Sequence, residues 1–285
     1  MRGPPPYPPA HDLLAGKVVV VTASAGAGIG SAAARRCLEE GAQVVVSDTH
    51  ERRLGETLDA LKAEHAGAVA AAPCDVTVED DVQRLIATAV DSFGRLDVMI
   101  NNAGLGGTAS VLDMTDEQWT RVLDVTLNGT FRCTRAALRQ FVAQGGGGAI
   151  VNNASVIGWR AQKGQTHYAA AKAGVMAHTR CSALEAAEFG HLDVVVNNAG
   201  LGGETPVVEM TDEQWSTVLD VTLTGTFRCT RAVLKQMYEQ GSGVIVNNAS
   251  VLGWPSATGT NGGWPSRWSG WPRSVAPNRS RWRAT

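Results

Sequence analysis

Short runs rich in β-branched residues alternate with helical segments over the first 190 residues of the chain. The first run, 17–22, is one lysine, four valines and a threonine. Further strand-like runs lie at 43–47, 68–73, 96–101 and 149–154, of which 68–73 is weaker because it is mostly alanine. Such continuous apolar runs, rather than an alternating pattern, are typical of parallel strands buried on both faces. The sequence therefore predicts an α/β fold with a doubly wound parallel sheet covered by helices.

The second half of the chain repeats part of the first half. Residues 191–240 match 95–144 at 34 of 50 positions, and 247–254 return the pattern of 152–159. The copied unit is one strand–helix–strand, and it begins where a sixth strand would be expected. We therefore predict that 192–197 and 243–247 serve as sixth and seventh strands of the sheet. Two alternatives are open: strand exchange, within the chain or with a second copy, and a disordered C-terminal third.

Composition divides the chain into four parts. Residues 1–15 carry five prolines and are predicted to be a disordered lead. Residues 16–190 are predicted to form the main domain, and 191–254 to complete its sheet. Residues 255–285 are rich in Trp, Pro and Arg, show no helical or strand period, and are predicted to be a disordered tail.

Charge and cysteine content narrow the possible partners. The net charge is −2, so we expect neither nucleic acid nor an anionic membrane as a partner. The five cysteines are far apart and form no metal-ligand spacing, which favours reduced thiols in the cytoplasm and no metal site. We find neither an apolar run of membrane-spanning length nor the core of a signal peptide.

A glycine-rich turn joins the first predicted strand to the first helix. It contains Gly26, Gly28 and Gly30. Glycines at such a turn let the backbone approach a pyrophosphate at the positive end of the helix. Asp48, at the end of the second strand, can accept hydrogen bonds from ribose hydroxyls and favours NAD. Arg52 and Arg53 could neutralise a 2′-phosphate, so NADP is the second choice.

Tyr168 and Lys172 are four residues apart and share one face of a predicted helix. A lysine ammonium beside a phenol favours the phenolate, which suits the tyrosine to acid–base chemistry on an alcohol or ketone oxygen. The hydroxyl of Ser155, arriving from the end of the fifth strand, can hold the same oxygen. His167 stands beside this pair, is expected at the surface and is assigned no role.

The glycine-rich turn, the run 101–104 (Asn-Asn-Ala-Gly) and the trio Ser155, Tyr168 and Lys172 occur in the order found in one family. Over about residues 15–190 the chain resembles the short-chain dehydrogenase/reductase family, which has a Rossmann-like fold. It looks similar to 3-oxoacyl reductases and to actinobacterial members that act on steroid or alicyclic acyl thioesters. The resemblance implies an oxidoreductase that transfers a hydride between NAD(P) and a secondary alcohol or ketone, with 16–190 as its dinucleotide-binding and catalytic domain.

The resemblance also implies roles for the matching positions. Tyr168 would be the general acid/base. Lys172 would lower the pKa of Tyr168 and bind the nicotinamide ribose, and Ser155 would hold the substrate oxygen. The positions implied to bind the cofactor are Gly26, Gly28, Ile29, Gly30, Asp48, Asp75, Val76, Asn102, Ala103, Gly104, Tyr168 and Lys172. Family members form dimers or tetramers through two long helices, here 116–144 and 166–188, which implies a homodimer or homotetramer.

The chain departs from the family pattern in three places. The phosphate turn is one residue longer, with Ala23 after Thr22, and Thr126 stands where the family has a catalytic Asn. The usual sixth strand, the turn over the nicotinamide and the substrate lid are replaced by the repeat. These departures leave an alternative: a non-catalytic dinucleotide-binding or oligomerising relative.

Overall fold

The computed structural model describes residues 9–186, 194–197, 208–240 and 244–247. The strands are β1 (Val18–Val21), β2 (Gln43–Asp48), β3 (Val69–Pro73), β4 (Val98–Asn101), β5 (Ala149–Asn152), β6 (Val194–Asn197) and β7 (Val244–Asn247). The α-helices are α1 (Ile29–Glu39), α2 (Glu51–Glu64), α3 (Glu79–Phe93), α4 (Asp116–Leu123), α5 (Gly129–Gln144), α6 (Thr166–Ala186), α7 (Asp212–Leu219) and α8 (Gly225–Gln240).

Five strands form a parallel sheet in the order β3-β2-β1-β4-β5. β1 pairs with β2 on one side and with β4 on the other, Val20 lying opposite Val45 and Met99. The chain therefore reverses its direction of winding between β1 and β4. Such a reversal opens a crevice at the carboxyl ends of the strands, where doubly wound folds bind their ligands. This arrangement confirms the predicted doubly wound parallel sheet.

The side chains of β1 show why the sheet must be covered on both faces. All four of its valines are fully buried. Val18 and Val20 pack into a core with α3 and α5, whereas Val19 and Val21 pack into a second core with α1 and α2. Complete burial of a valine contributes about 1.5–3 kcal/mol, so both layers of helices hold the sheet.

Residues 9–15 pack against the domain, which corrects the prediction of disorder for this part of the lead; the rest of that prediction, for 1–8, lies outside the described residues. The backbone N–H groups of His11 and Leu13 donate to the carboxylate of Glu40, at 2.9 and 3.2 Å. The N–H of Leu14 donates to the main-chain carbonyl of Glu40, and its side chain packs against the α1–α2 core. Glu40 is 4% exposed, so these hydrogen bonds satisfy a buried carboxylate and fix the segment.

The copied strands do not extend the sheet, which corrects the prediction of surrogate sixth and seventh strands. In the described part of the chain, β6 and β7 pair with each other in a separate two-stranded parallel sheet. Their register, Asn197 opposite Asn247, repeats that of Asn101 opposite Asn152 between β4 and β5. The copied segment brought both strands and their connecting helices with it. Each copied strand therefore pairs with its own partner.

The copied helices keep the local structure of the original but not its burial. Thr115 with Gln118 and Thr211 with Gln214 form the same capping box, and a π-helical segment follows α4 and α7 alike. Cys133 on α5 is 1% exposed within the α3–α5 core, whereas Cys229 on α8 is exposed. Capping and helix form depend on nearby residues, but burial depends on distant ones.

Candidate active site

The predicted site residues gather at the carboxyl ends of the parallel strands. The phosphate turn follows β1, Asn102 to Gly104 follow β4, and Ser155 follows β5. Tyr168 and Lys172 lie on the first turns of α6, which comes after β5 in the chain. The crevice between β1 and β4 therefore has the glycine-rich turn on one side and the Tyr–Lys pair on the other.

The phosphate turn has the geometry of an anion site. Gly26 has φ +76°, a left-handed conformation that favours glycine. A Cβ at Gly30 would lie 2.4 Å from the carbonyl oxygen of Ala23, so only glycine fits there. Gly28 caps α1 without a side-chain hydrogen bond, which leaves the first N–H groups of the helix available to a phosphate. The turn therefore fits a dinucleotide.

The added length of the turn is absorbed at Ala23 and Gly26. Ala23 has φ +50°, an uncommon conformation for a residue with a Cβ. Its carbonyl accepts a hydrogen bond from the Asn102 amide at 3.0 Å. The N–H of Gly26 donates to the hydroxyl of Thr57 on α2 at 2.9 Å, an anchor that sequence reasoning missed.

Asp48 ends β2 and pairs with Arg53, which lines a groove of about 600 Å³ together with Gly26 and Gly28. Asp48 is 8% exposed. Its carboxylate accepts from the N–H of His50 at 2.9 Å and from the guanidinium of Arg53 at 3.3 Å. Asp48 and Arg53, the two residues predicted to bear on the choice between NAD and NADP, therefore form an ion pair with each other.

Asp75 and Val76 follow β3 on the same side of the sheet. One oxygen of the Asp75 carboxylate accepts from both the N–H and the hydroxyl of Thr77, at 2.9 and 2.8 Å. Val76 is 5% exposed and packs so closely on Gly129 that a Cβ there would lie 2.5 Å from its methyl carbon. Local hydrogen bonds and packing against Gly129 thus fix both residues beside the crevice.

Residues 102–104 cross the crevice between the phosphate turn and Lys172. The N–H groups of Asn102 and Ala103 both donate to the hydroxyl of Thr22, each at 2.9 Å. A Cβ at Gly104 would lie 3.5 Å from the Lys172 ammonium nitrogen. The structure therefore brings this predicted cofactor segment to the Tyr–Lys pair.

Lys172 is held deep in the site. Its side chain is 4% exposed, and its Nζ donates to the main-chain oxygen of Asn153 at 2.5 Å. The same Nζ lies 5.7 Å from the centre of the Tyr168 ring. Ser155, two residues after Asn153, caps a short 3₁₀ turn, its hydroxyl accepting from the N–H of Ile157 at 3.3 Å.

Burial changes the protonation of Lys172. Removal from water disfavours the ammonium and lowers the pKa of Lys172 from 10.5 to about 8. Below pH 8 the lysine is charged in both the folded and the unfolded protein, so its burial cost is constant. Between about pH 8 and 10.5 the unfolded state holds more protons than the folded state, and stability rises with pH.

We expect Lys172→Met to reveal the unfolding free energy that is lost by burying a charged lysine. At pH 7 the variant will be favoured by the absence of a buried charge. Between pH 7 and 9.5 the wild type will gain about 2 kcal/mol of unfolding free energy relative to the variant. Urea unfolding of both proteins at the two pH values measures this difference, and the exposed Lys163→Met serves as the control. A Lys172→Met difference that does not change with pH would contradict the depressed pKa.

Comparison with known proteins agrees with this geometry. The family model described as short chain dehydrogenase matches residues 17–188, and it matches again over 185–261. The chain belongs to the short-chain dehydrogenase family. The first match has nearly the bounds of the predicted catalytic domain, and the second covers the copied unit.

Two enzymes of the short-chain dehydrogenase family illustrate the relationship. A (5R,7aS)-5-hydroxy-7a-methyl-1-oxo-2,3,5,6,7,7a-hexahydro-1H-indene-carboxyl-CoA reductase from Mycobacterium tuberculosis is 65% identical over 180 residues, which are 63% of this chain and 69% of that enzyme. A 3beta-hydroxysteroid dehydrogenase 2 from Eggerthella lenta is 37% identical over 184 residues, again 63% of this chain and 69% of that enzyme.

A solved short-chain dehydrogenase has the same fold. The crystal structure of a short chain dehydrogenase from Mycobacterium smegmatis superposes with a TM-score of 0.65 at 52% identity, over 85% of this chain and 95% of that chain. The chain is therefore an NAD(P)-dependent oxidoreductase of the hydroxy/keto type. The matches named by activity are reductases and dehydrogenases and give the non-catalytic alternative no support.

No helix among the described residues is long and apolar enough to cross a membrane.

Thr126 stands at the position of the short-chain dehydrogenase Asn, within the π-helical segment Asp124–Asn128. It is fully buried. Its hydroxyl accepts from the N–H of Leu105 at 3.0 Å and donates to the carbonyl of Leu105 at 3.1 Å. Thr126 thus holds the segment after β4, and both hydrogen bonds of its hydroxyl go to the main chain of Leu105.

His167 is buried at 2% exposure, which corrects the expectation that it lies at the surface. A Cβ at Gly107 would lie 3.4 Å from its Nε2, so the ring packs against the loop after β4. The side-chain Nε2 of Gln165 donates to the hydroxyl of Thr108 in the same loop, at 3.2 Å. One histidine beside a motif carries no sequence signal for such packing, because the contact depends on a loop 60 residues earlier.

Proposed function

We propose that this chain interconverts a secondary alcohol and a ketone, with Tyr168 as general acid/base, Lys172 as its charged neighbour and Ser155 as the substrate-oxygen donor. The observation that carries this proposal is Lys172, a buried lysine tied to Asn153 and placed 5.7 Å from the Tyr168 ring centre. An ionisable side chain buried at such expense in a crevice is typical of a functional site.

The residues account for the proton and for the orientation of the substrate. In the direction of reduction, the Ser155 hydroxyl donates a hydrogen bond to the ketone oxygen and fixes it beside Tyr168. The Tyr168 hydroxyl gives its proton to that oxygen as the carbon–oxygen double bond becomes single. The Lys172 ammonium stabilises the phenolate left behind. When bound, NAD(P)H supplies the hydride, so the ketone carbon gains two electrons and the product is the secondary alcohol.

We further propose NAD as the preferred cofactor, since Asp48 already occupies the guanidinium of Arg53. Asp48→Ala removes the carboxylate that would repel a 2′-phosphate and frees Arg53 to bind it. We expect the ratio of the NADPH to NADH dissociation constants to fall by about tenfold or more. Fluorescence titration with both nucleotides measures the ratio. In Asp48→Ala/Arg53→Ala the part of the gain that comes from the freed guanidinium should be lost; if the double variant binds NADPH as tightly as Asp48→Ala, Arg53 is not the phosphate ligand.

The names of the relatives support a substrate class. One acts on a fused-ring carboxyl-CoA thioester and another on a hydroxysteroid. We propose that the substrate is a ring ketone or alcohol of this alicyclic kind, and an acyl-CoA thioester in the first instance. The support for this proposal is the 65% identity over 180 residues to the relative that acts on the CoA thioester.

For assembly and location we propose a cytoplasmic homodimer or homotetramer that forms through α4–α5 and α6. The outer surfaces of these helices expose Phe131, Val142 and Leu184 to 44, 53 and 75%. All five cysteines are free thiols, which agrees with a reducing compartment. Light scattering on the purified chain tests the assembly.

Two measurements test the proposed function. Titration with NADH, followed by nucleotide fluorescence, tests dinucleotide binding. Turnover of a panel of ring ketones, free and as CoA thioesters, tests the chemistry. Saturable binding with turnover of a ring ketone is the expected result. Binding without turnover of any ketone would overturn the proposed chemistry, and an absence of binding would overturn the site itself.

A further inference from the structure

Asn153 lies at the carboxyl end of β5 and contacts both halves of the site. Its main-chain oxygen accepts the hydrogen bond of the Lys172 ammonium at 2.5 Å. Its side-chain Nδ2 donates to Oδ1 of Asn102 at 3.1 Å. The residue therefore joins the lysine of the proposed reaction to the segment after β4.

The hydrogen-bonded path continues from Asn102 to the phosphate turn. The Nδ2 of Asn102 donates to the carbonyl oxygens of Thr22 and Ala23, at 3.1 and 3.0 Å. The Ala23 oxygen lies directly under Gly30, at the start of α1. Asn102 thus holds Ala23 in its left-handed conformation, and Asn153 holds Asn102.

The chemistry of the amides leaves Asn102 one orientation. Its Nδ2 faces two carbonyl oxygens, so its Oδ1 must face position 153. A donor is therefore required at 153. A carboxylate there would place two acceptors against each other, and an apolar side chain would leave Oδ1 unpaired in a half-buried site.

We infer that Asn153 is a positioning residue that fixes the phosphate turn through Asn102 and so sets the affinity for the dinucleotide. The inference rests on the proposed dinucleotide site. The side chain of Asn153 acts on the turn, whereas its main chain holds Lys172. Loss of the side chain should therefore weaken cofactor binding and leave the proton chemistry in place.

The test uses Asn153→Ala and Asn153→Asp in the full-length chain. We expect the NADH dissociation constant and the KM for NADH to rise about tenfold in Asn153→Ala, and further in Asn153→Asp, with kcat within about twofold of the wild type. Asn153→Ser, which keeps a donor, should recover part of the affinity. An unchanged dissociation constant in both variants would overturn the inference.

A double-mutant cycle with Asn102→Ala tests whether Asn153 acts through Asn102. We expect Asn102→Ala/Asn153→Ala to bind NADH no more weakly than Asn102→Ala alone, since the second change removes nothing further. Strictly additive losses would overturn the inference, because Asn153 would then act by another route. Gln165→Ala is the matched control, because it removes an amide hydrogen bond of similar length that leads only to Thr108.

Thermal melting of the unliganded proteins separates positioning from general damage. A drop in kcat equal to the loss of affinity, together with a much lower melting temperature in Asn153→Ala, would point to a merely structural role and overturn the inference. If the wild type itself binds no NADH, the proposed function fails. If the wild type binds and Asn153→Ala binds equally well, only the role of Asn153 fails.

Discussion

Tyr168→Phe will lower kcat for ketone reduction by about 10²–10⁴-fold, the range that a positioned general acid contributes. The variant loses only the hydroxyl. Its ring keeps its place beside the Lys172 ammonium and against Gly106, where a Cβ would lie 3.9 Å from the ring. We therefore expect NADH to bind with a dissociation constant close to that of the wild type. Steady-state turnover and NADH fluorescence measure the two quantities on the same preparation.

The matched control makes the same chemical change on another helix. Tyr238 lies on α8 and is 89% exposed, so Tyr238→Phe should leave both kcat and binding unchanged. Retention of wild-type turnover by Tyr168→Phe would assign the proton to another group. Loss of NADH binding by the same variant would show that its lower activity comes from a damaged cofactor site.

Gly30→Ala will have the second large effect, on cofactor binding and stability together. Its new Cβ would lie 2.4 Å from the Ala23 oxygen and 2.5 Å from Nδ2 of Asn102. The first of these atoms is backbone and cannot swing away. We expect a loss of about 1–3 kcal/mol in unfolding free energy, typical of overpacking, and NADH binding weakened about 100-fold or more.

Gly55→Ala provides the control for this change. Gly55 is exposed within α2, and a Cβ there would meet nothing within 4 Å. Alanine favours a helix interior by about 0.5–1 kcal/mol over glycine, so Gly55→Ala should raise the melting temperature. Urea unfolding and NADH titration of both variants check the pair. If Gly30→Ala bound NADH like Gly55→Ala, the close packing under the turn would not matter for binding.

Features with a local cause were predicted well. The strands of the main sheet follow from short apolar runs, most of them rich in β-branched residues. The glycines of the phosphate turn and the spacing of Tyr168 and Lys172 are local as well. The position of each depends on its neighbours in the chain, and the structure places them at the predicted ends of strands and helices.

Features that depend on distant residues were predicted poorly. The apolar pattern of 192–197 predicts a strand, and β6 lies within it. The pattern contains no information on whether β6 pairs with a strand of the main sheet or with β7. The burial of Glu40 that orders residues 9–15 depends on contacts about 30 residues apart. The side chains of Asn153 and Thr57 each act through one hydrogen bond to a remote segment. A lone Asn or Thr in a sequence gives no sign of such a bond.

The identical register of β4 with β5 and of β6 with β7 has a consequence for how the chain folds. The chain contains two interchangeable strand–helix–strand units, of which only one can sit beside β1. Each unit can form by itself, because its two strands are joined by their own crossover, 102–148 in the first unit and 198–243 in the second. We expect the wrong unit to dock beside β1 in some molecules and to trap them. Refolding should then show a slow phase that disappears when residues after 190 are deleted.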